Sequence, residues 1–230
     1  NCIPFINGSI DTIFVERAIN PEYQKLREIL DKDKDYGRII AFPKPTRFIP
    51  YTRTHPLIDI SQSSSWREYF IQDSSAGDYL RQLDEKGLVH SLFDLSSIKY
   101  IVLPVEADGP FHPYKDLSTS KASLDKILDS VDGLKKLEGF QDISVYLNED
   151  YYPQILLSRN TLSLSEDQIR IPIEFERISS SRISFNIEKI YTPVVLSFSD
   201  EYHPAWGISF DDHSDWKALL SPDSHFLPIS

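Results

Sequence analysis

The chain has 230 residues with 24 Lys+Arg against 35 Asp+Glu, a formal net charge of −11, and 40% of its residues are apolar. That composition excludes a disordered or collagen-like chain. So acidic a balance also argues against a surface for nucleic acid or anionic membrane, since neutralising phosphate takes clustered Lys and Arg. The length allows one large domain or two small ones. Met is absent, so the chain is expected to be a piece of a longer product or a processed mature chain. No basic-then-apolar leader opens it. Its strongest apolar run, Tyr100 to Val105, falls far short of the ~20 residues that span a bilayer. Cys2 is the sole cysteine, which precludes an intrachain disulfide and a multi-cysteine metal site. Asn7-Gly8-Ser9 forms a glycosylation sequon.

The first predicted element is a helix opened by Asn20-Pro21-Glu22, a capping side chain, a proline suited to the first turn and an acid at the positive end of the dipole. Tyr23, Leu26, Ile29 and Leu30 make its apolar stripe, and the helix runs out in Asp31 to Asp35 before Gly37. Arg38 to Phe42 follows as a short buried strand closed by Pro43 and Pro45. Residues 43–75 read as a long irregular stretch, with Trp66, Tyr69 and Phe70 on a short helical turn; loops of that length are often functional. A helix over about 76–86 ends at Gly87, a shorter one covers Leu88 to Leu95, and Ile98 to Val105 has the continuous apolar character of an interior strand. Leu124, Ile127, Leu128 and Val131 mark another helix ended by Gly133. Strands Leu134 to Phe140 and Ile143 to Leu147 follow, joined by a hairpin at Gln141-Asp142. Beyond about residue 158 the period changes to two, through Ile169, Ile171, Ile173 and Phe175, then Ile183, Phe185 and Ile187, then Val194, Leu196 and Phe198, then Trp206, Ile208 and Phe210. The expected class is α+β: an α/β layer with a mixed sheet over 1–158, then an antiparallel, jelly-roll-like β-sandwich over 159–230, truncated at its C-terminus.

Several constellations resemble chemistry without completing it. Asp31, Asp33, Asp35 and Gly37 look like a calcium loop, but Tyr36 and Phe42 stand where Gly and Glu are needed, so a solvated helix end is expected. Asp211, Asp212, His213 and Asp215 are the densest potential ligand group, read more simply as an exposed turn; no metal site is expected there. Six histidines show no HxxH or HExxH spacing, and no phosphate-cradling loop, dinucleotide fingerprint or nucleophile elbow occurs. Ser118-Thr119-Ser120-Lys121 satisfies SxxK, but a helix N-cap accounts for the serines. The 35 acids do not single out a glycosidase pair. No catalytic residue and no cofactor are assigned. The most distinctive segment is Ser199 to Trp206. There Tyr202 and Trp206 offer faces for sugar rings, while Asp200, Glu201 and His203 suit hydroxyls. Simple packing of the rings on a sandwich core beneath a proline turn is the expected reading ahead of sugar binding, with Trp206 structural and Tyr202 the more accessible of the pair.

Leu196-Ser197-Phe198-Ser199-Asp200-Glu201-Tyr202-His203-Pro204-Ala205-Trp206 resembles the "E-S-Y-x-P-G-W" strand in the C-terminal extracytoplasmic regions of YfhO-like polytopic membrane proteins, which are grouped with lipid-linked-sugar-dependent, glycosyltransferase-C-like enzymes. Gly37-Arg38-Ile39-Ile40 with Pro43 is similar to the family's early "G-R-[IV]" strand. Ser96 to Leu103 resembles its "L-x-V-K-Y-[IV]-[IV]" strand. Leu137 to Asn148 with Tyr152-Pro153 looks like its "F-x-D-x-x-[IV]-Y-E-N-x-x-x-[LY]-P" stretch. Ala205 replaces a Gly, and Phe210-Asp211-Asp212 departs from a "V-D-G" turn. The resemblance spans about residues 20–210. It implies a non-catalytic module on the extracytoplasmic face of the cell membrane. The module would position a glycan or lipid-linked sugar acceptor, or a partner, beside the parent transmembrane domain in envelope polysaccharide or glycolipid assembly. The family's sugar-transfer acids lie in loops between membrane helices, so none carries over. A stand-alone glycan hydrolase and a purely structural interaction domain are the alternatives.

Overall fold

A computed structural model describes residues 20–59, 76–105, 120–158, 170–179, 182–187, 195–199, 207–209 and 217–218. Asn20 caps the first helix, α1 (Pro21–Lys32), with its side chain accepting from the Glu22 N–H, and Tyr23, Leu26 and Leu30 are its buried stripe. Next come β1 (Arg38–Ala41), β2 (Leu57–Ile58), α2 (Ala76–Glu85), α3 (Val89–Leu95) and β3 (Ile98–Leu103). They are followed by α4 (Lys121–Asp129), β4 (Leu134–Lys136) and β5 (Ser144–Asn148). Gly87 separates α2 from α3 at φ 64°, a conformation only glycine adopts freely, and so turns one helical run into two. Ser120 opens α4 through a capping box with Ser123.

These strands form one mixed sheet in the order β2-β1-β3-β5-β4. β2, β1 and β3 are parallel, and β5 runs antiparallel to both β3 and β4. Side-chain alternation divides the burial between two faces. Ile40, Ile98, Ile101, Leu103 and Tyr146 pack with Leu80, Leu83, Phe93, Leu124 and Leu128 from α2, α3 and α4. On the other face Ile39, Ala41, Tyr100, Val102 and Val145 receive Tyr23, Leu26 and Leu30 of α1. The sheet is therefore covered on both sides, which explains why every residue of β3 is buried.

Two details differ from the sequence reading. A strand, β2, lies within the stretch read as irregular; two residues are too few to show a period, and it is recognisable only by its pairing with β1. The expected two-residue hairpin at Gln141-Asp142 is a seven-residue connection, 137–143. There Gly139 takes φ 82°, and the N–H groups of Gln141, Asp142 and Ile143 turn to the Glu22 carboxylate at 2.6, 3.0 and 2.9 Å instead of the ladder. Lys25 holds the same turn by donating to the Gly139 carbonyl at 2.8 Å.

The second part is antiparallel. β6 (Ile155–Ser158), β7 (Arg170–Pro172) and β10 (Val195–Phe198) form a sheet in the order β10-β6-β7, while β8 (Phe175–Ser179) and β9 (Arg182–Phe185) form a hairpin. β6 lies before the expected boundary at 158 and pairs within this second sheet. Ile155, Leu157 and Ile173 meet Phe175, Ile183, Phe185, Leu196 and Phe198 in one cluster, so sheet and hairpin share a core. β11 (Gly207–Ile208) pairs with β12 (Lys217–Ala218). The class is α+β. Contacts join the two parts: Ser199 Oγ donates to the Leu95 carbonyl at 2.6 Å, and Tyr36 meets Phe175 edge-on at 5.6 Å.

Candidate functional site

The richest group of ionisable side chains lies where α1 ends and β1 and β3 begin. Asp33 follows the last turn of α1 and lends one oxygen, Oδ2, to three donors. Lys99 Nζ approaches to 2.7 Å, the Tyr100 hydroxyl to 2.7 Å and His55 Nε2 to 3.2 Å. Its other oxygen accepts from the Asp35 N–H at 3.1 Å. Lys99 and Tyr100 are neighbours in sequence and would normally point to opposite faces of a strand. They converge because the β1–β3 register slips there, Arg38 opposing Ile98 and Ile39 opposing Tyr100, which leaves Lys99 as the extra residue of a bulge. Gly37 makes the room: a Cβ at that position would overlap the Lys99 stem.

His55 is wholly buried. An ionised Asp33 can only accept, so Nε2 carries the proton, and Nδ1 accepts from one of the linked Thr52 and Thr54 hydroxyls, which lie 3.2 and 3.1 Å away. Burial is the largest influence on the ring and pushes its pKa down past the opposing pull of Asp33, so the imidazole is neutral. Burial also opposes the charges of Asp33 and Lys99, but here the pairing wins. Lys99 and Tyr100 hold the carboxyl below its usual range, and Asp33 holds the ammonium above its own. Burial, and then Asp33, push the Tyr100 phenol up. The group sets Asp33 and the more exposed Asp35 around Lys99, with neutral donors completing the contacts of Asp33 Oδ2.

A second group occupies the opposite face. Lys121 Nζ lies 2.7 Å from Ser144 Oγ, the separation of a serine–lysine nucleophile pair. The same ammonium is paired with Asp125 Oδ2 at 3.1 Å, and Ser144 is buried. The Tyr146 hydroxyl lies 2.7 Å from an Asp125 oxygen and 2.8 Å from an Asp129 oxygen, within donating reach of either, so two carboxylates do meet. Burial resists ionisation of Asp125, yet hydrogen bonds from Lys136, Ser144, Tyr146 and Lys121 outweigh it and bring the pKa to about 2. A glycosidase acid needs the reverse, a carboxyl pushed up. A third group sets half-exposed His90 between Asp94 at 3.4 Å and Asp150 at 3.6 Å, with Asp94 Oδ1 taken by Asn148 Nδ2 at 2.8 Å. Among the described residues no three His, Cys, Asp or Glu side chains are arranged to hold a metal ion.

The structure corrects one expectation directly. Asp31, Lys32, Lys34 and Asp35 are exposed as a solvated helix end should be, but Asp33 is turned inward to anchor the buried group, because β3 presents two donors to it. Ser120 caps a helix as expected, whereas Lys121 finds its serine at position 144, outside the SxxK motif. The sugar-binding candidates Asp200, Glu201, Tyr202, His203 and Trp206 lie outside the described residues, as do Asp211, Asp212, His213, Asp215, Cys2 and the Asn7 sequon. Sequence reasoning missed His55, Lys99 and Tyr100. The signal present was a lysine inside an otherwise apolar strand, Ile98-Lys99-Tyr100-Ile101, which has to find an anion if buried.

Comparison of the chain with family models, curated proteins and solved structures gives no significant match.

Proposed function

We propose that this chain is a non-catalytic extracytoplasmic module of a YfhO-like, glycosyltransferase-like membrane protein, serving to position a glycan or lipid-linked acceptor. The observation that carries the non-catalytic reading is closure. His55, Tyr100 and Ser144 are buried, and the ionised members of their groups, Asp33 with Lys99 and Asp125 with Lys121, are matched to one another. The family reading rests on four sequence segments in the right order. The first two take in β1 and β3, the third takes in β5, and the fourth begins in β10. Such segments build a frame, which is what a shared module would keep. In this reading glycan contact belongs to Tyr202 and Trp206, with Asp200, Glu201 and His203 near them in sequence. A purely structural interaction domain is the second reading, favoured by the same closure.

The test uses the full-length product in its own membrane. Lys135 is well exposed on β4. A cysteine placed there, in a Cys2→Ser background, should react with an impermeant maleimide on intact cells. Labelling only after lysis, or a reading frame without several apolar segments of ~20 residues, would contradict the proposal.

A further inference from the structure

We propose that the segment Tyr51–Ile58 is an acid-released flap on the edge of the five-stranded sheet, pinned in neutral solution by the unprotonated ring of His55. The ring is the only part of the segment that is both fully buried and bonded at both nitrogens, to Asp33 on one side and to Thr52 and Thr54 on the other. Backbone bonds and sheet pairing also hold the segment. Gly37 donates to the Thr54 carbonyl at 3.1 Å and Ile39 to the Pro56 carbonyl at 2.9 Å. Arg27 reaches the Tyr51 carbonyl at 3.3 Å, and β2 adds two residue pairs at the sheet edge. Tyr51 is 64% exposed, and Leu57 and Ile58 are half-buried, each at the margin of one of the two cores.

The groups that face His55 decide how it answers acid. From the turn after α1 come Asp33 and Asp35; from β3 come Lys99 and Tyr100, with Tyr151 behind Lys99; from the segment itself come Thr52 and Thr54. Asp33 is already matched by Lys99 at 2.7 Å, and the Asp35 carboxylate is 81% exposed and 3.6 Å from the same ammonium. A proton on His55 would therefore put a second cation in a buried group holding one anion. Burial, with a lesser contribution from Lys99, disfavours the charged ring and outweighs the favourable pull of Asp33 and Asp35. Hydrating the ring is the remaining route, and lifting an edge segment is easier than dismantling a sheet covered on both faces. Release bares the outer edge of β1, a row of backbone donors and acceptors of the kind that accepts an added strand. The flap is independent of the family reading.

Amide hydrogen exchange by NMR on the 230-residue chain, corrected for intrinsic rates, tests this. As pH falls below the ordinary imidazole range, opening at the Gly37 and Ile39 amides should grow about tenfold per pH unit, the slope of one proton, until the closed ring itself titrates. Amides of the β3–β5 ladder should keep their protection. His55→Asn should abolish that slope. If this variant does not fold, the wild-type profile decides alone. Flat protection at Gly37 and Ile39, or loss shared equally by the β3–β5 ladder, would overturn the proposal.

Discussion

At the scale of single residues, the chain spends a bulge, a glycine and a buried histidine on one carboxylate. Lys99 and Asp33 are each mostly shielded, so removing one leaves the other charge without a match. Lys99→Met should lower unfolding free energy by about 3 kcal/mol in urea denaturation. Gly37→Ala should lower it by ~1–3 kcal/mol, since its Cβ would press on the Lys99 stem. The pH dependence has a definite sign. Because the Asp33 carboxyl is held below its ordinary value, the stability it adds is complete above about pH 4 and lost as acid titrates the folded form. The stability difference between wild type and Asp33→Asn should therefore shrink below about pH 4, and a difference that stays constant there would contradict the pairing. None of this convergence was legible in the sequence. Alternation puts Lys99 and Tyr100 on opposite faces, and only the register slip, a property of two strands together, brings them to one point.

At the scale of elements, much was legible. The caps at Asn20 and Ser120 and the stop at Gly87 are local chemistry, and they open or close α1, α4 and α2 as their sequence neighbourhoods require. The long apolar run at β3 is a strand because both faces of its sheet are covered. What the local sequence did not disclose is the turn 137–143, whose shape is set by a helix more than a hundred residues earlier. Glu22 accepts three backbone N–H groups there, and although burial opposes its charge these bonds hold its carboxyl below the usual range. The residue is only partly buried, so solvent screening reduces the effect. Glu22→Gln should cost ~1 kcal/mol in melting experiments and raise exchange at the Gln141, Asp142 and Ile143 amides. Unchanged exchange at those amides would show that the turn holds its own shape. Ser120→Ala should likewise lower stability by about 1 kcal/mol.

At the scale of the whole molecule, a covered mixed sheet and an antiparallel unit are joined by a few specific contacts, Ser199 to Leu95, Tyr36 to Phe175 and the Tyr152 N–H to the Asp94 carbonyl at 3.2 Å. The composition announced a folded acidic chain, and the change of period after residue 158 announced the second unit. Function is less legible for a physical reason. The ionisable groups among the described residues are matched to one another and stabilise a frame, and under the proposed function sugar recognition falls to rings and hydroxyl partners such as Tyr202 and Trp206. Such stacking is worth ~1 kcal/mol per ring beyond area burial, so affinity for glycan should be weak, on the order of millimolar to high micromolar. A module held beside its acceptor by a membrane anchor needs no more. The most direct measurement is one NMR titration of the chain with envelope-type oligosaccharides, reading protein shifts and sugar anomeric signals together. The account predicts weak, saturable shifts that Tyr202→Ala removes without lowering Tm, and anomeric signals that stay unchanged with time. The growth of a new reducing-end anomeric signal would show glycosidic cleavage and contradict it.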